Sequence, residues 1–301
     1  MPRSCGSAAA AASRSKKAKR RASANCGAVA RSEGRLTIMP ERKAALAVGA
    51  HPDDVEFTMA GTLALLADAG YECHIHTVAN GNCGTATYSH AEIIRLRRAE
   101  AEAAAQVMGA TYHPGFVNDI EIYYEDSVLR KVTAVVREVQ PQIVLTHSPI
   151  DYMEDHQNAC RLTVTACFCR GMRNWISDPA LPPTPQDIYL YHANPHSNRD
   201  PLRNPIIPTH YVDITAKIDL KEQMLRCHAT QKEWLDVSQG MDSYLAAMRD
   251  ICAELGALAP HVVPYAEGFR QHLHVGMSAE DGDPLADVLA AGVQVTTAAS
   301  R

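Results

Sequence analysis

The chain has 301 residues, 46% of them hydrophobic and 21% charged, with a formal net charge of −5. Its 17 glycines and 17 prolines are ordinary counts, which excludes collagen-like and low-complexity architectures. The longest apolar run, Ala44 to Ala50, falls well short of the about 20 residues a membrane-spanning helix needs, so no span is expected.

Charge is unevenly distributed. Residues 1–38 carry nine Lys/Arg against one Glu, whereas the remainder carries 20 basic and 33 acidic residues. The stretch Arg14 to Arg21 reads as part of a disordered tail or an over-extended start, with a nucleic-acid arm as the alternative. The acidic body argues against a protein that grips phosphate backbones, and no nucleic-acid partner is expected. No apolar segment follows Arg20-Arg21, so a secretory leader is not indicated. The nine cysteines include no Cys-x-x-Cys pair. That pattern fits a reduced, cytoplasmic protein without structural disulfides rather than a zinc ribbon or thioredoxin-like site.

In chain order, 44–50 reads as a buried strand, 55–69 as a helix stopped by Gly70, and 72–79 as a second strand. A Gly/Asn/Thr-rich loop (80–88) leads to a capping box, Ser89 with Glu92, and a helix ending at Gly109. A third strand is expected over 111–117, a helix marked by Val128, Val132, Val136 and Val139, a fourth strand over 142–146, and a helix starting near His156. Strands alternating with helices predict an α/β fold with a Rossmann-like, mostly parallel sheet flanked by helices. Strands at 187–191 and 211–214, helices at about 216–235 and 240–255, and a loose tail from 279 complete the expected chain.

Two polar segments follow strand ends, where open parallel sheets bind ligands. The first is His51-Pro52-Asp53-Asp54-Val55-Glu56; the second is Asp151-Tyr152-Met153-Glu154-Asp155-His156. The first lacks the Gly-x-Gly-x-x-Gly turn of a dinucleotide site. Two imidazoles and a carboxylate on adjacent loops suit a catalytic zinc ion, which keeps a fourth position open. Ordinary polar loop residues are the other reading.

Ala-His-Pro-Asp-Asp-x-Glu after the first strand, with a later Asp-x-His-like segment, resembles the PIG-L/LmbE zinc deacetylases. The resemblance covers about 43–275 and implies a hydrolase domain over 39–278. It implies one Zn2+ per chain held by His51, Asp54 and His156, with Asp53 as the general base that takes a proton from the attacking water. It also implies substrate contacts from Arg97, in Arg97-Arg98-Ala99-Glu100, and from Asp119, and a supporting role for His228-Ala229-Thr230-Gln231. Asp155 is expected either to orient His156 or to cap the following helix. Many family members carry a histidine where this chain has Met153. Methionine neither stabilises an oxyanion nor protonates a leaving group, so His196, His272 or His274 is expected to replace it. His272 and His274 share a face if the segment is a strand.

The resulting expectation is removal of an N-acyl group, acetyl first, from an amino sugar or related small molecule, by a homo-oligomer. An amidase acting on a larger conjugate and a non-catalytic metal- or sugar-binding protein are the rivals.

Overall fold

The computed structural model describes residues 43–239 and 244–296; the basic segment 1–38 lies outside the described residues. Strand β1 (Ala44–Gly49) is buried along its whole length because both faces are covered. Ala45 and Ala47 pack in one apolar cluster with Leu63, Leu66 and Ile75, whereas Leu46 and Val48 join Val132, Val136 and Leu162 in another. A strand covered on both sides needs an unbroken apolar run rather than alternation, and 44–50 supplies one.

Strands β2 (Glu72–Thr77), β3 (Thr111–His113), β4 (Ile143–Thr146) and β5 (Tyr189–Ala193) complete a parallel half in the order β3-β2-β1-β4-β5. Helices α1 (Asp54–Thr58) and α2 (Ala60–Asp68) connect β1 to β2, and α3 (His90–Met108) connects β2 to β3. Helix α4 (Asp126–Val139) leads back to β4, and α5 (Glu154–Cys169) leads towards β5. The chain runs outward from β1 to β3 and then returns to the other side of β1. The carboxyl ends of β1 and β4 therefore flank a topological switch point, where a crevice opens.

The sheet continues through β7 (Ala266–Gln271), β6 (His210–Asp213) and β8 (Val293–Val295), each antiparallel to its neighbour, to give eight strands. Helices α6 (Ile218–Leu225), α7 (Ala229–Gln239) and α8 (Tyr244–Leu258) lie between β6 and β7, and α9 (Pro284–Leu289) precedes β8. The expected α/β class and flanked sheet are present, and the sheet is mixed. No described helix is long and apolar enough to cross a membrane.

Three expectations are corrected. The helix expected over 55–69 is broken at Met59, because the first N–H groups of α2, on Gly61 and Thr62, donate to the Glu267 carboxylate at 2.8 and 2.7 Å. Glu267 lies on β7 and is paired in turn with the buried Lys221 at 2.5 Å. The third strand stops at His113 before Pro114, and a single bridge between Ala79 and Val117 resumes the pairing. The segment from 279 is not a loose tail as far as residue 296. Leu285 is fully buried, and Asp283 accepts hydrogen bonds from Tyr191 at 2.8 Å and His210 at 2.7 Å.

Candidate metal centre

The turn after β1 carries three of the relevant residues, His51, Asp53 and Asp54. Gly49 permits it: a Cβ there would lie 2.9 Å from Cβ of Asp54, so the chain folds back onto its own strand end. Asp53 takes a left-handed backbone (φ 105°), a region that residues with a Cβ seldom occupy. Asp54 opens α1, and its Oδ2 accepts the backbone N–H of His51 at 2.7 Å.

His156, in the first turn of α5, places Nε2 3.3 Å from Oδ1 of Asp54, and Nδ1 of His51 lies 3.5 Å from Oδ2. The other nitrogen of each ring is tied to a carboxylate: His51 Nε2 to Asp155 at 2.9 Å, and His156 Nδ1 to Asp151 at 3.0 Å. Such outer carboxylates fix the ring and leave one nitrogen for a cation. His51, Asp54 and His156 each present one donor atom, all within 4.8 Å of one another.

The charge balance supports the same assignment. Four buried or nearly buried carboxylates, Asp53, Asp54, Asp151 and Asp155, surround two imidazoles. Burial acts to lower the pKa of His51, but Asp155 and Asp54 outweigh it and raise it to about 9. His156 is raised to about 10 in the same way by Asp54 and Asp151. Burial would raise the Asp54 carboxyl, yet the His156 and His147 rings hold it well below the usual range. The cluster thus collects positive charge, and a divalent cation fits its donor set.

Asp53 stands beside the cluster without being one of its three donors. Burial raises its carboxyl to about 6, against the opposing pull of Arg97. Its Oδ2 accepts a 2.6 Å hydrogen bond from Tyr244 on α8, whose phenol is held well above its ordinary pKa and remains a donor. The Arg97 guanidinium lies 3.6 Å from Oδ1. A carboxylate poised near neutrality, with one oxygen anchored, has the properties of a general base.

Arg97 lines the cavity but is only 2% exposed; its terminal nitrogens donate to Pro52 O and the Gln231 side chain, while its buried Nε has no hydrogen-bond partner. The left-handed Gly81 (φ 79°) packs on it; a Cβ there would lie 2.8 Å from Nε. Glu100 ties α3 to α7 by accepting from the Thr230 backbone and hydroxyl at 3.0 and 2.7 Å. Asp119 also lines the cavity, with its carboxylate accepting from the N–H groups of Gly81 at 2.8 Å and Cys83 at 3.0 Å. Both residues hold the wall and the Gly loop in place.

Asp155 bonds His51 and the Ile120 N–H (2.7 Å), not His156, whose partner is Asp151. His196 lines the cavity; His272 and His274 do not. The strand expected to align those two ends at Gln271, and β7 is antiparallel to β5. Residues after it consequently emerge at the amino end of β5, away from the site. His272 Nδ1 meets His192 Nε2 at 2.9 Å, and His274 lies 3.2 Å from Asp281.

Sequence reasoning missed two neighbours. His147 follows β4 directly, a position that strand-end logic marks; it stacks on His156 at 4.1 Å, and its Nε2 accepts the Ala50 N–H at 2.9 Å. Tyr244 is 191 residues from Asp53, and no local signal announces it. The cavity has a volume of about 440 Å³, within the usual range for small-molecule sites, and Phe57, Ile120, Tyr152, Met153 and Trp234 form its apolar wall.

Residues 46–167 match the family model described as PIG-L: GlcNAc-PI de-N-acetylase. A 4-oxalmesaconate hydratase of Pseudomonas putida is 28% identical over 239 residues, covering 76% of this chain and 89% of that protein. The 1D-myo-inositol 2-acetamido-2-deoxy-alpha-D-glucopyranoside deacetylase of Kineococcus radiotolerans is 24% identical, covering 71% and 74%. In structure, the N,N'-diacetylchitobiose deacetylase of Pyrococcus horikoshii aligns with a TM-score of 0.66 and 25% identity, over 81% of this chain and 88% of that one. Residues 46–167 are thus similar to the PIG-L family, and the relatives matched are named as deacetylases and a hydratase.

Proposed function

We propose that the protein is a zinc-dependent hydrolase that removes an N-acyl group, acetyl foremost, from an uncharged, sugar-like small molecule. The observation that carries this reading is the division of labour after β1. His51 and Asp54 converge with His156, while Asp53 stands beside them with one oxygen anchored by Tyr244.

His51, Asp54 and His156 would hold the ion. When bound, it supplies Lewis acidity that polarises a carbonyl and acidifies water. Asp53 accepts the proton of the attacking water through Oδ1, since Oδ2 is engaged by Tyr244. The same carboxyl can then return that proton to the departing amine, releasing a primary amine and a carboxylate. Tyr152 and Trp234 on the wall offer aromatic faces to an apolar or sugar face of the substrate.

A preference for uncharged substrates follows from the wall. Arg97 is the sole Arg or Lys among the described lining residues, and both its terminal nitrogens are bonded, to the Gln231 side chain and Pro52 O. With Arg97 only 2% exposed and its two terminal nitrogens bonded, an anionic substrate finds no accessible guanidinium or ammonium group there.

Amine release from a panel of N-acetylated sugars, measured with metal analysis of the same protein, tests this reading. Asp53→Asn is expected to keep zinc and lose turnover, whereas His51→Ala loses both. Equal turnover in wild type and Asp53→Asn contradicts the assignment.

A second reading, addition of water to an unsaturated carboxylate, is favoured by two observations. Met153 leaves position 153 without a proton donor for an amine, and a relative matched over 89% of its length is named a hydratase. Hydration of an enoate without any amine release from the panel would establish it.

A further inference from the structure

His196 sits in the cavity wall on the turn that follows the carboxyl end of β5. Its ring lies 4.9 Å from that of Phe57 and 6.4 Å from that of Tyr152, and Tyr152 in turn meets His156 edge-on at 5.4 Å. His196 lines the same cavity as His156, with both ring nitrogens left free of protein hydrogen bonds among the described residues.

The turn beneath it is rigidly built. Asn198, in a left-handed conformation (φ 55°), donates its backbone N–H to Pro195 O at 2.8 Å. Its amide also donates to Glu254 at 3.0 Å and to Ile251 O at 3.2 Å, and the Asn194 amide donates to Ile206 O at 2.8 Å. Both asparagines are at least 96% buried. Two buried, hydrogen-bonded amides fix a turn whose exposed product is one uncommitted imidazole. Preorganised donors of this kind stabilise charge that develops during reaction without reorganisation at that moment. Met153, on the same cavity wall, has no N–H to offer.

We propose that His196 is a catalytic residue that donates its ring N–H to the oxyanion formed when water adds to the substrate carbonyl, the task Met153 cannot perform. The inference rests on the hydrolase reading above. No covalent bond to the protein forms; His196 contributes one hydrogen bond, made in full only as the carbonyl oxygen gains charge. Tyr152, 57% exposed at the rim, orients the imidazole by its ring edge.

The test uses zinc-loaded full-length protein and methylphosphonate, a tetrahedral anion shaped like the adduct of water and an acetyl group. Calorimetric Kd and bound zinc are measured for wild type, His196→Ala, His196→Gln and Asp53→Asn, alongside amine release. His196→Ala is expected to keep its zinc, weaken methylphosphonate binding at least tenfold and lower kcat about 100-fold with KM little changed. His196→Gln, which retains an N–H donor, recovers part of both losses, and Met153→His added to His196→Ala restores activity. Methylphosphonate binding within twofold of wild type in zinc-replete His196→Ala overturns the role of His196 and leaves the hydrolase reading intact. Absence of binding to zinc-loaded wild type overturns both.

Discussion

Oδ2 of Asp155 lies 2.9 Å from Nε2 of His51 and simultaneously accepts the N–H of Ile120 at 2.7 Å. One carboxylate on α5 thereby holds the imidazole at the end of β1 and the loop after Val117, joining both halves of the crevice. The same carboxylate thus also anchors Ile120, a β-branched residue in the left-handed region at φ 65°.

Removal of this carboxylate acts on one ligand alone. Asp155→Ala is expected to weaken zinc affinity about 10- to 100-fold, the usual penalty for loss of an outer partner of a metal-bound histidine. Competition with a chelator of known affinity measures it. Unchanged affinity in a folded Asp155→Ala protein contradicts the role assigned to this pair.

Tyr244→Phe removes the donor to Oδ2 of Asp53 while preserving ring packing against Phe57, 4.9 Å away. A hydrogen bond to a charged group contributes about 1.5–3 kcal/mol, so kcat is expected to fall by roughly tenfold or more. Zinc content stays at the wild-type level. Steady-state kinetics with metal analysis checks this, and loss of zinc in Tyr244→Phe would instead make the tyrosine a support of the metal cluster.

The pairing of Lys221 with Glu267 is a folding determinant rather than part of the site. Both side chains are nearly inaccessible, and Glu267 also caps α2. Lys221→Met leaves a buried carboxylate without its cation, and breaking such a pair costs about 3–5 kcal/mol. Urea unfolding followed by circular dichroism measures the change, which disappears if the interior tolerates the lone carboxylate.

The C-terminal segment supplies a pH prediction. Burial would raise the Asp283 carboxyl, but the His210 contact and the Tyr191 hydroxyl hold it below the ordinary value of 3.8. A carboxyl depressed in the folded state contributes stability that is present above its unfolded pKa and fades as pH falls through the folded one. Acid unfolding of wild type is therefore expected to be steeper below about pH 4 than that of Asp283→Asn. Parallel acid titrations by intrinsic fluorescence test this, and superimposable curves contradict it.

How much of this was legible in the sequence depends on the distance over which each feature is determined. The run 44–50, the capping box of Ser89 and Glu92, and the polar turn 51–56 are local, and each stands where periodicity and turn chemistry place it. The proposed ligands His51, Asp54 and His156 come from the resemblance, carried most specifically by the turn 51–56, and their donor atoms lie within 4.8 Å of one another. The break at Met59 was hidden, since its cause is a carboxylate from residue 267. Of the three histidines offered as alternatives, His196 lines the cavity and His272 and His274 do not, because alternation carries no information on strand direction. Asp155, offered either as the partner of His156 or as a helix cap, is neither, and Asp151 holds His156 instead, for proximity along a helix start does not reveal which way a ring nitrogen points.

The central claim is that His51, Asp54 and His156 together hold one divalent ion. Zinc titration of the metal-stripped protein by calorimetry, with bound metal counted after dialysis, tests it most directly. One equivalent per chain is predicted for wild type and for Asp53→Asn, with none retained by His51→Ala or His156→Ala. Failure of the wild type to retain zinc, or full retention by both histidine variants, would contradict the account.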